Sequence, residues 1–229
     1  LRPRRFGKSL WISTLWHYYD EYYKEEFEEL FGDLYIGQHP TPLRNSYKIL
    51  FMEFSGIEIS DLQSVRQRFD NKIRNAIRFF MSRYNYLEEC DFITTMQHAE
   101  EIMEAFLERF KEEKIYVLID EYDHFANGIL AESMDSFLEI VGKGGFVRTF
   151  YEVIKTGAML GVFDRIFITG VTPITMDSLS SGFNIAANLS LRKEFNEMCG
   201  FTERETEYLL EQTVFRVCKD IDKEKVRDD

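Results

Sequence analysis

The sequence predicts an α/β fold with a parallel sheet flanked by helices. Three stretches carry that reading. "KIYVLIDEYD", Lys114 to Asp123, is apolar on both faces until its acidic end, the pattern of a strand in the middle of a parallel sheet. "DRIFITGVTP", Asp164 to Pro173, is another buried-type strand that runs into a turn. "SYKILFMEF", Ser46 to Phe54, is a shorter apolar and aromatic run with strand character. Helical stretches separate them, as a parallel arrangement requires.

The elements follow in order. "SLWISTLWHYY", Ser9 to Tyr19, has apolar residues at helical spacing and reads as a helix. A second, acidic helix is expected through "YYKEEFEELF", then a loop from Asp33 to Pro42, marked by Gly37, Pro40 and Pro42. Helices are expected from about Ser60 to Arg83 and from Thr95 to Lys111. Two more follow the central strand, one after Asn127 and one from Phe146 to Leu160. "FNIAANLS" reads as a last short strand. Thr202, with Glu205 three residues on, forms the capping box of a helix expected to reach Cys218. There is no internal repeat and no low-complexity linker.

The bulk numbers bound the function. With 229 residues, 45% of them hydrophobic and 15% aromatic, the chain can bury one sizeable core, with at most a small appendage. The formal charge of −12 repels a phosphate backbone and argues against nucleic-acid binding by this chain, although a salt-dependent DNA affinity would reopen that reading. The basic cluster Arg2, Arg4, Arg5 and Lys8 stands out against this background and calls for a local anion. Cys90, Cys199 and Cys218 fit neither a disulfide framework nor a zinc knuckle, and read as reduced thiols of a cytoplasmic protein. No apolar run has the length of a membrane span. Residue 1 is Leu, so the chain looks cut from something longer.

The chemistry concentrates at three places. "RPRRFGKSL" ends in Gly7-Lys8-Ser9, the close of a phosphate-binding loop, G-x-x-x-x-G-K-[ST]. In such a loop, backbone N–H groups cradle phosphates, the Lys reaches the β/γ oxygens and the hydroxyl ligates Mg²⁺ at a helix N-terminus. The first glycine position holds Arg2, and Pro3 removes a donor. Arg4 and Arg5 offer side-chain donors in compensation. The other reading is a helix start with a solvated basic flank. The second place is "YVLIDEYD". There Asp120 would hold the Mg²⁺ shell and Glu121 would polarise an attacking water. The plain alternative is a strand running into an acidic turn. Asp123 reads as the cap of the next helix in preference to a metal-facing group, and His124 as a packed or surface histidine. The third is "FITGVTP", where Thr169, or less well Thr172, fits a γ-phosphate sensor at a strand tip; ordinary strand-end Thr is the alternative. The aromatics from Trp11 to Tyr23 read as core. Arg148, Arg165 and Arg192 are arginine-finger candidates, none of them distinguished by its context.

"LRPRRFGKSL", "LFGDLYIG", "ILFMEFSG", "VLIDEYDHFAN", "ITGVTPIT", "SGFNIAANLS" and "CGFTERE" occur in this order, and together they resemble the AAA-ATPase-like proteins, bacterial predicted P-loop ATPases. The resemblance runs from Leu1 to about Leu210. Members usually read R-P-R-R-F-G-K-S at the loop, so Arg2 in place of glycine is a family trait. The resemblance implies a P-loop fold of the additional-strand class, with a strand between the loop strand and the Walker B strand. It implies a first strand upstream of Leu1, and often a C-terminal nuclease-like domain of the PD-(D/E)XK class that is absent here. It places Lys8, Ser9, Asp120 and Glu121 in nucleotide roles; with the readings of the residues above, the expected site is Arg4, Arg5, Phe6, Gly7, Lys8, Ser9 and Leu10 for ATP, Ser9 and Asp120 for Mg²⁺, and Glu121, Lys8 and Thr169 for catalysis. The expected organisation is an ATPase-like domain over residues 1–200, followed over 201–229 by the start of a helical lid or linker. The expected function is ATP binding and hydrolysis coupled to a downstream effector. The alternative is a non-hydrolysing regulatory scaffold that keeps the fold.

Overall fold

The computed structural model describes residues 1–58, 61–179 and 183–213. Its centre is a three-stranded parallel sheet in the order β1 (Lys48–Glu53), β2 (Ile115–Asp120), β3 (Phe163–Ile168). The register aligns Leu50 with Val117 and Glu53 with Asp120 on one side, and Ile119 with Ile168 on the other. All three strands therefore end along one edge. All six residues of β2 are buried, as its unbroken apolar run requires, whereas β3 is largely half-buried.

Before the sheet come α1 (Lys8–Tyr19), a 3₁₀ turn (Glu21–Tyr23), α2 (Phe27–Phe31) and α3 (Tyr35–Gln38). Between β1 and β2 lie α4 (Leu62–Arg83), α5 (Leu87–Thr94) and α6 (Ala99–Arg109). Between β2 and β3 lie α7 (His124–Glu132), α8 (Met134–Val141) and α9 (Phe146–Met159). After β3 come α10 (Ile174–Ser178), a 3₁₀ turn (Lys193–Phe195) and α11 (Glu203–Gln212).

The alternation of side chains along the strands sends two sets of residues to opposite faces. Leu50, Met52, Val117 and Ile119 join the main core with α4, α6 and α9. Along α4, Phe69, Ile73, Ile77 and Phe80 recur at helical spacing and are fully buried. The Phe69 ring stacks on Phe54 at 5.1 Å and meets Phe150 edge-on at 5.2 Å. On the other face, Ile49, Tyr116 and Leu118 pack against Ile12 of α1. This second face matters for the site, because it fixes the axis of α1 under the basic loop.

Four expectations need correction. The acidic stretch after α1 breaks into a 3₁₀ turn and the short α2, and the following loop contains α3. The helix expected from Thr95 begins at Ala99, where His98 and Glu101 form a capping box, and α5 was not foreseen. The first helix after β2 starts at His124, ahead of Asn127, and α8 follows it. Among its described residues, "FNIAANLS" forms no strand: Phe183 is buried against Tyr151, and the chain then runs exposed.

The Thr202 box is formed, with Glu205 N donating to Thr202 Oγ1 at 3.3 Å and Thr202 N to Glu205 Oε2 at 2.8 Å. Its helix is described to Gln212, and Cys218 lies outside the described residues. Thr202→Ala is expected to cost α11 about 1 kcal/mol, read as faster amide exchange over that helix alone. No described helix is long and apolar enough to cross a membrane.

Candidate functional site

The loop from Arg2 to Gly7 stands above the ends of β2 and β3. Arg5 has φ 68° and Gly7 φ 80°, while Arg4, Phe6 and Lys8 keep negative φ. Left-handed residues alternating with residues of negative φ are what an anion-binding nest of backbone N–H groups requires. Gly7 supplies its left-handed conformation without a Cβ penalty, and Arg5 carries one. The nest leads straight into α1, whose free N–H groups and dipole add positive potential.

Lys8 folds back across the loop, its ammonium donating to Arg2 O at 2.9 Å and Pro3 O at 2.8 Å. Both acceptors are neutral carbonyls, so a phosphate oxygen would make the stronger, charge-assisted partner. One residue on, Ser9 Oγ donates to Asp120 Oδ2 at 2.6 Å. Thr169 Oγ1 donates to the other oxygen, Asp120 Oδ1, which also accepts from Glu121 N at 3.0 Å. The sheet explains this meeting. β2 and β3 end side by side, and α1 begins beneath the same edge.

Glu121 leaves β2 at φ 52°, a left-handed conformation that costs a non-glycine residue of order 1–3 kcal/mol. The turn sends its carboxylate off the sheet edge. Its Oε2 lies 3.6 Å from His124 Nδ1, and both side chains are about a third exposed (35% and 38%). His124 was read as a packed or surface residue; it is half-exposed and faces Glu121. Thr172 turns away from Asp120, its hydroxyl lying 3.1 Å from Asp123 Oδ2 and 3.0 Å from Asn127 Oδ1. Asp123 does stand at the N-cap position of α7, but its side chain makes no cap bond, which corrects the sequence reading.

The remaining loop residues separate. Arg4 and Arg5 are exposed. Leu10 is 73% exposed and can contribute only its backbone. Phe6 packs against Gly200, where an added Cβ would lie 2.9 Å from the Phe6 ring. Arg2, the residue in the first glycine's place, does not point at the nest. Its guanidinium donates to Ser190 O at 2.6 Å and Phe195 O at 3.1 Å, stitching the loop to the segment after α10. Those partners are backbone carbonyls, so no residue pattern announces them. Of the arginine-finger candidates, Arg148 pairs with Glu152 and Arg165 with Asp164.

Two cavities adjoin the site. One, of about 560 Å³, lies between β3 and the segment from Phe183, with Arg2, Lys8 and Thr169 in its wall. The other, of about 250 Å³, runs along α1 from Ser9 and Asp120 to Trp16 and Arg83. Beside them, burial pushes the Tyr122 phenol well above its ordinary pKa, with the charge of Asp123 adding to the shift.

A hard divalent cation takes oxygen ligands. Ser9 Oγ and Asp120 Oδ2 offer two, side by side. Among the described residues, no group of three or more His, Cys, Asp or Glu side chains could hold a metal ion by itself. The donor set fits Mg²⁺ held jointly by two side chains, phosphate oxygens and water, which is how Mg²⁺ ordinarily binds with a nucleotide.

The fold and the site define a class: an α/β protein with a helix-flanked parallel sheet and a Gly-Lys-Ser loop at its carboxyl edge. The chain belongs to the family described as predicted AAA-ATPases, whose model matches residues 1–180. No curated protein and no solved structure matches the chain.

Proposed function

We propose that this protein binds Mg–ATP at the loop from Arg4 to Leu10 and hydrolyses it, in a P-loop fold of the additional-strand class. The contact between Ser9 and Asp120 is the observation that carries the reading. It joins two motifs 111 residues apart in sequence at the one place where both are needed. Ser9 and Asp120 would hold Mg²⁺, which would neutralise charge on the phosphates. Lys8 exchanges its two carbonyl partners for phosphate oxygens, and the N–H groups of the nest and α1 hold the rest. Ser9 and Asp120 orient the metal's side of the triphosphate. Thr169 holds Asp120 from the other side, and Glu121 takes the proton of the attacking water. The outer edge of β3 is unpaired among the described strands, and Leu1 and Arg2 run beside its end, Arg2 N donating to Gly170 O at 3.3 Å. A strand leading into the loop would lie there, beside the sensor strand.

The proposal includes the division into an ATPase-like domain over residues 1–200 and a lid or linker beyond. Arg2 ties the loop to Ser190 and Phe195, in the last segment before that boundary. An effector reading nucleotide state, the nuclease-like domain among the options, would draw on that tie. Free thiols at Cys90 and Cys199 fit the cytoplasm.

Mg–ATP at a hundred times its Kd is expected to stabilise the protein by about 2.7 kcal/mol. For a domain of this size the thermal midpoint then rises by about 5–11 °C. Lys8→Ala should remove the rise while leaving the unliganded midpoint in place. An unchanged midpoint in millimolar Mg–ATP overturns the proposal. A rise without turnover leaves the regulatory scaffold in its place.

A further inference from the structure

Asp123 is 1% exposed, and a carboxylate sealed from water needs donors in compensation. It occupies the N-cap position of α7, where an Asp ordinarily accepts from the first helical turn. Its side chain instead crosses to the turn after β3. Val171 N donates to both of its oxygens at 3.1 Å, Thr172 N donates to Oδ2 at 2.7 Å, and Asn127 Nδ2 donates to Oδ2 at 2.7 Å. The Thr172 hydroxyl lies 3.1 Å from Oδ2. The donors crowd Oδ2, Val171 N sharing itself with Oδ1, while the Thr172 hydroxyl stands between Oδ2 and Asn127 Oδ1, 3.0 Å away. The neighbouring Tyr122 hydroxyl holds the same turn by donating to Thr172 O at 2.5 Å.

The turn so gripped carries two parts of the phosphate site. Thr169 donates its hydroxyl to Asp120, and Gly170 O accepts from Arg2 N. The fit is close: an added Cβ at Gly170 would stand 2.3 Å from the Tyr122 ring and 2.5 Å from Asp123 Oδ1. We infer that Asp123 is a positioning residue of the phosphate site. It clamps the turn from Thr169 to Thr172, so that Thr169 and the start of the loop are held at fixed places beside Asp120. The last acid of "DEYD" therefore acts through the sensor turn and does not ligand the metal. The kinetic consequence rests on the Mg–ATP reading above; the clamp itself rests on the bonds alone.

Asp123→Asn removes the negative charge that the donors of the turn converge on and, with its oxygen at the Oδ2 position, sets an NH2 against the Val171 N–H, and so loosens the turn. Thr172→Val keeps every carboxylate and every backbone N–H and removes one hydroxyl. In Asp123→Asn, kcat for ATP is expected to fall about 10–100-fold, the scale of a small misplacement in a preorganised site. The Kd for Mg–ATP and the Mg²⁺ concentration for half-maximal turnover should move no further than they do in Thr169→Val, which removes the brace on Asp120 directly. Thr172→Val should show a smaller fall of the same kind. Amide exchange should speed up at Val171 and Thr172 and stay slow along β2. A rise in the Mg²⁺ requirement of Asp123→Asn beyond that of Thr169→Val, which removes the hydroxyl on Asp120, would make Asp123 a metal ligand and overturn the inference. Retained protection at Val171 and Thr172, or unaltered kcat with protection lost, would overturn it too. Wild-type protein that fails to bind Mg–ATP overturns the proposed function itself; exchange at Val171 and Thr172 then decides whether the clamp exists.

Discussion

Glu121→Gln is expected to bind Mg–ATP like the wild type and to lose turnover by about 10²–10⁴-fold, the usual contribution of a positioned general base. The expectation comes from where the backbone puts this residue. β2 stays buried through Asp120, and the next residue takes φ 52°. An L-residue in that region is strained, and such strain collects where a side chain has to be aimed. The aim here is off the carboxyl edge, one residue from the carboxylate that meets Ser9 and Thr169. Gln has the same shape and the same backbone demands, so the fold and the phosphate contacts should persist while the proton acceptor is lost. Single-turnover kinetics with equilibrium binding separate the two effects. Loss of binding and turnover together would contradict the assigned role, and undiminished turnover would move the base elsewhere. His124 Nδ1 lies 3.6 Å from Glu121 Oε2 and is itself titratable. His124→Ala provides the control for that second outcome.

Parts of this geometry were legible in the sequence, for physical reasons. Buried parallel strands carry unbroken apolar runs, so Lys114 to Asp123 and Asp164 to Pro173 declared themselves, and their acidic and Thr-containing ends marked the edge. A glycine before Lys-Ser at a helix start is equally visible, since few backbones need a left-handed residue there. What stayed hidden depends on partners far along the chain. Asp123 has the residue type and position of a helix cap, and only the return of β3 beside β2 brings Val171 and Thr172 to outbid α7 for its oxygens. Arg2 looks like damage to a glycine-rich loop until Ser190 and Phe195 appear as its acceptors. "FNIAANLS" pairs with no strand among the described residues, and a strand without a ladder leaves its backbone unpaired. Propensity reads the local chain, and these outcomes were settled by the tertiary one.

The other large effect is expected at a residue with no motif at all. Asp20→Ala should destabilise the protein by about 3–5 kcal/mol, the cost of breaking a buried ion pair from one side. Asp20 is fully buried at the end of α1. Its Oδ2 accepts from Arg83 Nε at 3.0 Å and Trp16 Nε1 at 2.9 Å; its Oδ1 accepts from Tyr84 OH at 2.7 Å and Tyr22 N at 3.0 Å. The Arg83 side chain is 10% exposed and lies against Tyr22 and Tyr23, at 4.0 and 4.7 Å from their ring centroids. Without Asp20, that guanidinium keeps its charge and loses its counter-ion inside an aromatic shell. Aromatic faces stabilise a cation only modestly. For a chain of this size the thermal midpoint should drop by about 6–20 °C. Changing Arg83 to Met in the same protein should recover part of the loss, because the uncompensated charge goes with it. The site offers an independent check. Ser9 and Asp20 stand at opposite ends of α1, about 17 Å apart at 1.5 Å per residue, so the Mg–ATP stabilisation of Asp20→Ala should equal that of the wild type below its lowered midpoint. A vanished ligand effect would mean that the anchor at Asp20 sets the loop itself, and an unchanged midpoint would mean that Arg83 finds water or another acceptor when its partner is gone.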